Sequence, residues 1–117
     1  MPRKVQGEPY SRVTTDEAHA MVKKGDAHVI DVRRPDEYEG GHVKGAIWIP
    51  VDEVIPRFDE IPADGKLLFI CAMGARSGLA CEYAAAMGAD SSRLFNIDEG
   101  TQAWIDKGLP SSKGREK

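Results

Sequence analysis

The sequence predicts a single α/β domain with a mostly parallel sheet and helices on both of its faces. Short apolar segments alternate with helix-like segments along the 117 residues, as expected when helices connect parallel strands. The apolar segments are continuous rather than alternating with polar residues, so both faces of each strand are expected to be buried. A chain of this length holds one hydrophobic core.

Strands and helices are predicted from apolar patterns and from helix start and stop signals. The predicted strands are 11–13, 28–32, 45–49, 66–70 and 93–97. The predicted helices are 16–24, 36–39, 52–60, 77–87 and 101–107. Thr14 and Glu17 match a capping box at the start of the first helix, and Gly25 provides its stop. Pro56 is expected to shorten the third helix or delay its start.

The helix predicted over 77–87 carries an apolar stripe that is expected to lie against the sheet. The stripe consists of Leu79, Ala80, Tyr83, Ala84 and Met87, and Ser77 is the predicted N-cap. Cys81 lies off this stripe, and the default expectation is that it packs near the sheet edge. The intervening chain is expected to hold Cys81 too far from Cys71 for a disulfide, so both are predicted to be free thiols.

Composition and charge exclude several classes of partner. The formal net charge is −3 and no run of Lys or Arg forms a stripe, so we expect no nucleic-acid binding. Apolar stretches such as 67–72 are far too short to span a bilayer, so no membrane partner is expected. The N-terminal residues lack an apolar signal segment, which favours a cytoplasmic protein. The sequence does not determine the oligomeric state and is compatible with a monomer.

The segment CAMGARS (71–77) is the strongest candidate site. Cys71 ends a predicted buried strand, and ligands in open α/β sheets gather at such strand ends. Backbone N–H groups near the following helix would lower the pKa of a thiol there and make Cys71 a nucleophile. Gly74 would let the backbone approach an anion closely. The alternative is that Cys71 only packs in the core, as free cysteines often do.

Four motifs in order resemble those of the rhodanese-like domains. CAMGARS is similar to the family's CxxGxRS, DVRRPDEY (31–38) to DVRxPxEY, GHVKGAIWIP (41–50) to GHIxGAxNIP, and GTQAWIDKGLP (100–110) to GGxxAWxxxGxP. The resemblance covers residues 13–110. It implies a five-stranded, mostly parallel sheet and a sulfurtransferase that carries a sulfane sulfur as a persulfide on Cys71. By this reading 11–110 form the domain, 1–10 are a flexible segment and 111–117 a disordered tail.

The resemblance also implies the partners and the persulfide-binding loop. The donor would be thiosulfate or an organic persulfide, and the acceptor a thiol, cyanide or a sulfur-accepting protein. Backbone N–H groups of the loop would hold the persulfide; its residues are Ala72, Met73, Gly74, Ala75, Arg76 and Ser77. Because Ala72 and Met73 are uncharged where thiosulfate-using relatives often carry cations, thiosulfate is expected to be a poor donor. Trp48 and Glu99 depart from the family pattern at positions usually held by Asn and Gly.

Other polar residues have structural and functional interpretations. Asp31 and Arg33 are expected to form an ion pair that supports the loops, with Arg33 also able to reach the rim of the site. Arg76 either anchors the loop to an acid or faces the substrate, and the sequence leaves this open. His42 is expected to make a structural hydrogen bond beside a turn. No metal-ligand spacing and no nucleotide-binding glycine motif occurs in the sequence, so neither metal nor cofactor is expected.

Two alternative functions stay open at this stage. One is a non-catalytic binding or regulatory module with the same fold. The other is a cysteine-dependent phosphatase or arsenate reductase, whose CxxxxxR loop has one more residue between cysteine and arginine than the four found here. The shorter loop suits a single sulfur atom better than a tetrahedral oxyanion, which favours sulfur transfer.

Overall fold

Parallel pairing of short strands builds the central sheet of the computed structural model, which describes residues 2–116. The strands are β1 (Arg3–Lys4), β2 (Ser11–Val13), β3 (Ala27–Asp31), β4 (His42–Val43), β5 (Ile47–Trp48), β6 (Lys66–Ile70), β7 (Leu94–Ile97) and β8 (Ser111–Ser112). The main sheet has the order β1-β2-β7-β6-β3-β5, in which β1 is antiparallel to β2 and all other pairs are parallel. A separate antiparallel pair joins β4 to β8.

Four α-helices connect the strands in the described residues. They are α1 (Thr15–Lys24), α2 (Pro35–Glu39), α3 (Ala75–Ala86) and α4 (Gly100–Asp106). The predicted capping box at the start of α1 is confirmed, since the Thr14 hydroxyl accepts from the Glu17 N–H and the Glu17 carboxylate accepts from the Thr14 N–H. Gly25 ends α1 in the left-handed conformation at φ +95°.

Helices cover both faces of the sheet, as predicted. Leu67 and Phe69 of β6 pack in one core cluster with Ala80 of α3, whereas their neighbour Leu68 packs in a second cluster with Trp104 of α4. Successive side chains of a strand point to opposite faces, so a strand covered on both sides must be apolar throughout. This explains the continuous apolar segment LLFI at 67–70 of β6.

Several predicted elements differ from the structure. The main sheet has six strands rather than five, because β1 adds an antiparallel edge strand. The strand predicted over 45–49 is only Ile47–Trp48, preceded by a turn at Gly45 with φ +82°. The helix predicted over 52–60 is two 3₁₀ turns, Val51–Glu53 and Phe58–Glu60. Pro56 lies between them and cannot donate the hydrogen bond that a continuous helix needs there.

The predictions for α3 were wrong in two respects. The helix begins at Ala75, with Gly74 at its N-cap, so Ser77 lies inside the helix rather than capping it. The apolar stripe is also rotated. Ala80 and Ala84 are buried as expected, but Leu79 and Met87 are 40% and 43% exposed. Small residues take their places against the sheet and let the helix pack closely. These residues are Ser77, Gly78 and Cys81.

Both ends of the chain pack against the domain in the described residues. Arg3 of β1 pairs with Asp98 at 3.0 Å. Ser111 and Ser112 pair with Val43 and His42, and the Gly114 N–H donates to the Glu39 carbonyl oxygen over 2.8 Å. Paired strands thus occur over 3–4 and 111–112, and the flexibility predicted for 1–10 and the disorder predicted for 111–117 stay predictions. Met1 and Lys117 lie outside the described residues.

Candidate active site

The ends of three parallel strands place the candidate site at one edge of the sheet. Asp31, Ile70 and Ile97 are register partners across β3, β6 and β7. Each of these residues is the last of its strand, so the chain leaves all three strands at the same edge of the sheet. Cys71 follows β6 in the middle of this edge, as the sequence predicts. This position lets neighbouring loops contact the cysteine from both sides.

The loop 71–77 wraps its backbone around the Cys71 sulfur. Gly74 has φ +93°, a conformation open to glycine, and its N–H donates to Cys71 Sγ over 3.1 Å. The backbone N–H groups of Met73 and Ser77 also help to lower the pKa of the Cys71 thiol. The cysteine is only 1% exposed in this arrangement. A negatively charged sulfur thus has several backbone donors in a nearly water-free setting.

These contacts set the acidity of the thiol. Burial raises the pKa of Cys71, because it disfavours the charged thiolate. The loop, through the backbone N–H groups of Ser77, Met73 and Gly74, outweighs burial and holds the pKa of Cys71 below its ordinary value. The thiolate is the nucleophilic form of cysteine, so the loop favours a reactive sulfur.

Arg76 anchors the loop to α2. Its Nη1 and Nη2 atoms donate to the two carboxylate oxygens of Glu37 over 2.7 and 2.8 Å. A bidentate pair of this kind fixes the guanidinium plane as well as its position. Hydrogen bonding by Arg76 lowers the pKa of Glu37 to about 2. The structure therefore favours the anchoring role of Arg76 over contact with a substrate; the sequence did not single out Glu37 as its partner.

Asn96 in β7 supports the loop from below and was not predicted as a site residue. Its Nδ2 donates to the Gly74 carbonyl oxygen over 3.0 Å, and its Oδ1 accepts from the Ser77 hydroxyl over 2.5 Å. The Ser77 oxygen lies 3.3 Å from Cys71 Sγ. A sequence signal exists, since Asn96 is the polar residue in the otherwise apolar strand LFNI.

The start of α4 holds the backbone of Cys71 itself. The Thr101 N–H and hydroxyl both donate to the Cys71 carbonyl oxygen, over 3.0 and 3.1 Å. Glu99, which stands where the family has glycine, has a separate role. Its carboxylate accepts from the Thr15 N–H over 2.7 Å at the start of α1 and pairs with Lys107 at 3.2 Å. This departure ties α1 to α4 and leaves the cysteine loop intact.

The predicted ion pair between Asp31 and Arg33 is present and buried. Arg33 Nη2 lies 2.7 Å from Asp31 Oδ2, with the two side chains 7% and 0% exposed. The same Nη2 donates to the Gly41 carbonyl oxygen over 2.7 Å. Trp48, at the second departure from the family pattern, donates its indole N–H to the Arg33 carbonyl oxygen over 3.0 Å. These contacts fix the loop that follows β3 next to the candidate site.

His42 lies apart from the cysteine loop. Its ring stacks on Tyr38 with ring centroids 3.8 Å apart, and its Nδ1 is 2.8 Å from the Tyr38 carbonyl oxygen. Its Nε2 hydrogen-bonds the Glu116 carbonyl oxygen. The structural hydrogen bond predicted for His42 is therefore present, and it connects α2 to the C-terminal segment.

The rim of the site is uncharged where the loop meets solvent. Met73 is 85% exposed at the tip of the loop, and Ala75 is also exposed. Ala72 lines an adjacent open cleft of about 260 Å³, whose other walls include the charged residues Arg33, Asp36 and Glu37. This cleft is large enough for a small organic group next to the loop.

Three further observations concern the part of the chain that the structure describes. No cluster of three or more His, Cys, Asp and Glu side chains that could hold a metal occurs within residues 2–116. Cys81 is a free, fully buried thiol whose pKa is raised well above its ordinary value, chiefly by burial. No helix among these residues has both the length and the apolar surface needed to cross a membrane.

Comparison with known proteins agrees with this architecture. A family model described as Rhodanese-like domain matches residues 14–107. The chain is 35% identical over 95 residues to the Bacillus subtilis protein YqhL, covering 81% of this chain and 72% of that protein. It is 35% identical over 85 residues to a protein named sulfurtransferase from Allochromatium vinosum, covering 73% and 78% of the two chains.

A more distant relative and a solved structure extend the comparison. The thiosulfate sulfurtransferase GlpE of Vibrio cholerae is 25% identical over 101 residues, covering 86% of this chain and 93% of that protein. The crystal structure of a rhodanese-related protein from Thermoplasma volcanium is 29% identical with a TM-score of 0.75, covering 86% of this chain and 96% of that one. The chain therefore belongs to the rhodanese-like domain family.

Proposed function

We propose that the protein is a sulfurtransferase that carries a sulfane sulfur as a persulfide on Cys71. The observation that carries this proposal is the Gly74 N–H, which donates to Cys71 Sγ over 3.1 Å in a loop that lowers the pKa of the thiol. Relatives that are named sulfurtransferase support the same reaction class. Donors of this kind stabilise negative charge on sulfur without a general base.

The reaction has two displacement steps. The Cys71 thiolate attacks the outer sulfur of the donor and forms a new S–S bond. The donor's own bond to that sulfur breaks, and its electron pair leaves with sulfite from thiosulfate or with a thiolate from an organic persulfide. An acceptor thiolate or cyanide then attacks the outer sulfur of the persulfide, and Cys71 leaves as the thiolate. Because the cysteine returns to its starting form, the cycle needs no added oxidant.

The loop dimensions favour sulfur transfer over phosphoryl chemistry. Four residues separate Cys71 from Arg76, and the guanidinium of Arg76 is committed to Glu37 rather than free to bind an oxyanion. The Gly74 N–H donates to the sulfur atom itself. This arrangement fits a single charged sulfur atom. We propose a small sulfur donor and a thiol acceptor, or a sulfur-accepting protein, as the partners, with the cytoplasm as the place of action.

A transfer assay tests the proposal. The protein is incubated with thiosulfate or an organic persulfide as donor and with cyanide or a small thiol as acceptor, and thiocyanate or the new persulfide is measured. Cys71→Ser is expected to abolish turnover, because no persulfide can form. Cys81→Ala is the matched control and should retain turnover, since Cys81 is fully buried and its sulfur contacts the Phe95 carbonyl oxygen. Turnover that survives in Cys71→Ser would contradict the proposal, as would its absence from the wild type with every donor.

A further inference from the structure

The Ser77 hydroxyl lies between two acceptors with one proton to give. Its oxygen is 3.3 Å from Cys71 Sγ and 2.5 Å from Asn96 Oδ1. Cys71 and Ser77 are at most 1% exposed, and Asn96 is 2% exposed. Water therefore has little access to complete their hydrogen bonds, and the three groups must satisfy one another.

The orientation of the Asn96 amide decides where the serine proton goes. The Gly74 carbonyl oxygen can only accept, so the amide atom 3.0 Å from it must be the Nδ2 donor. The opposite amide atom, facing Ser77, is then Oδ1, which also can only accept. Ser77 must therefore donate its single proton to Asn96 and present lone pairs to the cysteine sulfur.

The hydrogen-bond direction suits the thiol and opposes the thiolate. In the thiol form, Cys71 donates its S–H to Ser77, and Ser77 donates to Asn96. Once the thiol proton has left to water, the thiolate and Asn96 Oδ1 compete for one hydroxyl proton. Turning that proton toward sulfur would leave Oδ1 buried without a donor, which is unfavourable. The shorter contact to Asn96 also favours the present direction.

We propose that Asn96 is a positioning residue that holds the Ser77 proton away from the Cys71 sulfur. The thiolate is then stabilised by the loop N–H groups rather than by the serine hydroxyl. Because a thiolate becomes less nucleophilic as its parent thiol becomes more acidic, this arrangement preserves the reactivity of the sulfur toward a donor. In the persulfide the charge lies on the outer sulfur, and the serine proton stays with Asn96 without competition.

The packing of α3 provides a seat for this amide. Gly78 follows Ser77 inside the helix, where glycine is unfavourable. A Cβ at position 78 would lie 3.3 Å from Asn96 Nδ2 and 2.9 Å from the Tyr10 hydroxyl oxygen. The absence of a side chain there lets Asn96 approach both Ser77 and Gly74. Losing the Asn96 donor does not orphan Gly74, because its carbonyl oxygen also accepts from the Gly78 N–H over 3.1 Å.

A double-mutant cycle tests the role of Asn96. The pH dependence of Cys71 alkylation by iodoacetamide is measured by peptide mass spectrometry in the wild type, Asn96→Leu, Ser77→Ala and the double variant. In Asn96→Leu the freed hydroxyl turns to the thiolate. The alkylation midpoint is therefore expected to move to lower pH, with a rate below the midpoint at least about threefold higher. In the Ser77→Ala background the same Asn96 change should leave the midpoint unmoved.

The sign of the shift separates this role from a merely structural one. Loosening of the loop would remove backbone donors and move the midpoint to higher pH. A midpoint that rises or stays constant in Asn96→Leu, or one that falls equally in the Ser77→Ala background, would overturn the proposal. Asn96→Ala is a smaller replacement for the case in which leucine prevents folding, and the same outcomes apply to it. Circular dichroism establishes that each variant is folded.

The charged groups around the loop are the same in all four proteins, so they cannot produce the difference. They are Arg76 with Glu37, Asp31 with Arg33, and Asp98 with Arg3. The inference rests on Cys71 as the sulfur carrier proposed above. Alkylation measures the thiol directly and does not require sulfur transfer. A protein that fails to transfer sulfur but shows the expected shift would therefore overturn the proposed function and leave the role of Asn96 standing.

Discussion

Gly100 approaches Ala72 so closely that a Cβ at position 100 would lie 1.8 Å from the Ala72 carbonyl oxygen. This contact brings the start of α4 against the first peptide of the cysteine loop. The neighbouring Thr101 then donates both its N–H and its hydroxyl to the Cys71 carbonyl oxygen. The backbone of Cys71 is therefore held by the start of α4, which follows β7, whereas Cys71 itself lies in the connection between β6 and α3.

Gly100→Ala is expected to disturb both stability and sulfur transfer. Alanine would be strained at φ +85° and would also collide with Ala72. Gly108→Ala is a matched control, because Gly108 has φ +75° with nothing within 4 Å of its Cβ position. The control should lose about 1–2 kcal/mol of unfolding free energy and keep its transfer rate. Gly100→Ala should lose more unfolding free energy than this control and should also transfer sulfur more slowly. Equal stability and activity in the two variants would show that the close approach is unimportant.

The pair between Glu37 and Arg76 is expected to make stability depend on pH. The pKa of Glu37 is about 2 in the fold against an ordinary value of 4.5. A carboxylate with a lowered pKa stabilises the fold above its unfolded pKa, and this contribution is lost as the pH falls through the folded value. Glu37→Gln should therefore cost about 1–2 kcal/mol at neutral pH, after allowance for the partial exposure of the pair.

Urea unfolding at several pH values measures this difference. The gap between wild type and Glu37→Gln should narrow as the pH falls from 4.5 towards 2. Glu39→Gln is the control on the same helix, since its partner Arg115 is 67% exposed, and it should cost little at any pH. A gap for Glu37→Gln that stays constant with pH would mean that the charge of Glu37 contributes nothing.

Removing one member of the buried pair between Asp31 and Arg33 is expected to be costly. Arg33→Met leaves the fully buried Asp31 carboxylate without its cation, which typically costs about 3–5 kcal/mol. Lys66→Met is the matched change in an exposed pair, because Lys66 and its partner Asp26 are 40% and 59% exposed. That control should lose less than about 1 kcal/mol. Thermal and urea unfolding would contradict this account if the two variants were equally stable.

Donor selectivity is expected to follow the uncharged rim of the loop. With Met73 exposed and no cation at Ala72, an organic persulfide should be used more efficiently than thiosulfate, which carries two negative charges. Met73→Lys should raise kcat/KM for thiosulfate by attracting the dianion, with the greater effect at low salt. Met87→Lys, a similar change on the far end of α3, should have no such effect. A wild-type protein that uses thiosulfate as efficiently as an organic persulfide would contradict this prediction.

The elements with strong local signals were predictable from the sequence. The capping box and Gly25 define α1, and the continuous apolar segment over 67–70 defines β6. Cys71 could be placed at the sheet edge because the order of apolar and helical segments determines which end of a strand leads into a helix. The ion pair of Asp31 and Arg33 was also expected, since both residues lie at the end of a buried strand.

Contacts between distant parts of the chain were not predictable in this way. The rotation of α3, which exposes Leu79, depends on the close packing of Gly78 against Tyr10 and Asn96. Likewise, the choice of Glu37 as the partner of Arg76 depends on where α2 lies relative to the loop. Periodicity describes one segment at a time, so it carries no information about which partner a side chain meets.

Intact-mass spectrometry after incubation with a sulfane-sulfur donor tests the central claim most directly. We expect the wild type and Cys81→Ala to gain the mass of one sulfur atom, which is released by cyanide or a thiol, and Cys71→Ala to gain nothing. A wild-type protein that never takes up sulfur, or a Cys71→Ala variant that still does, would contradict the assignment of Cys71 as the sulfur carrier.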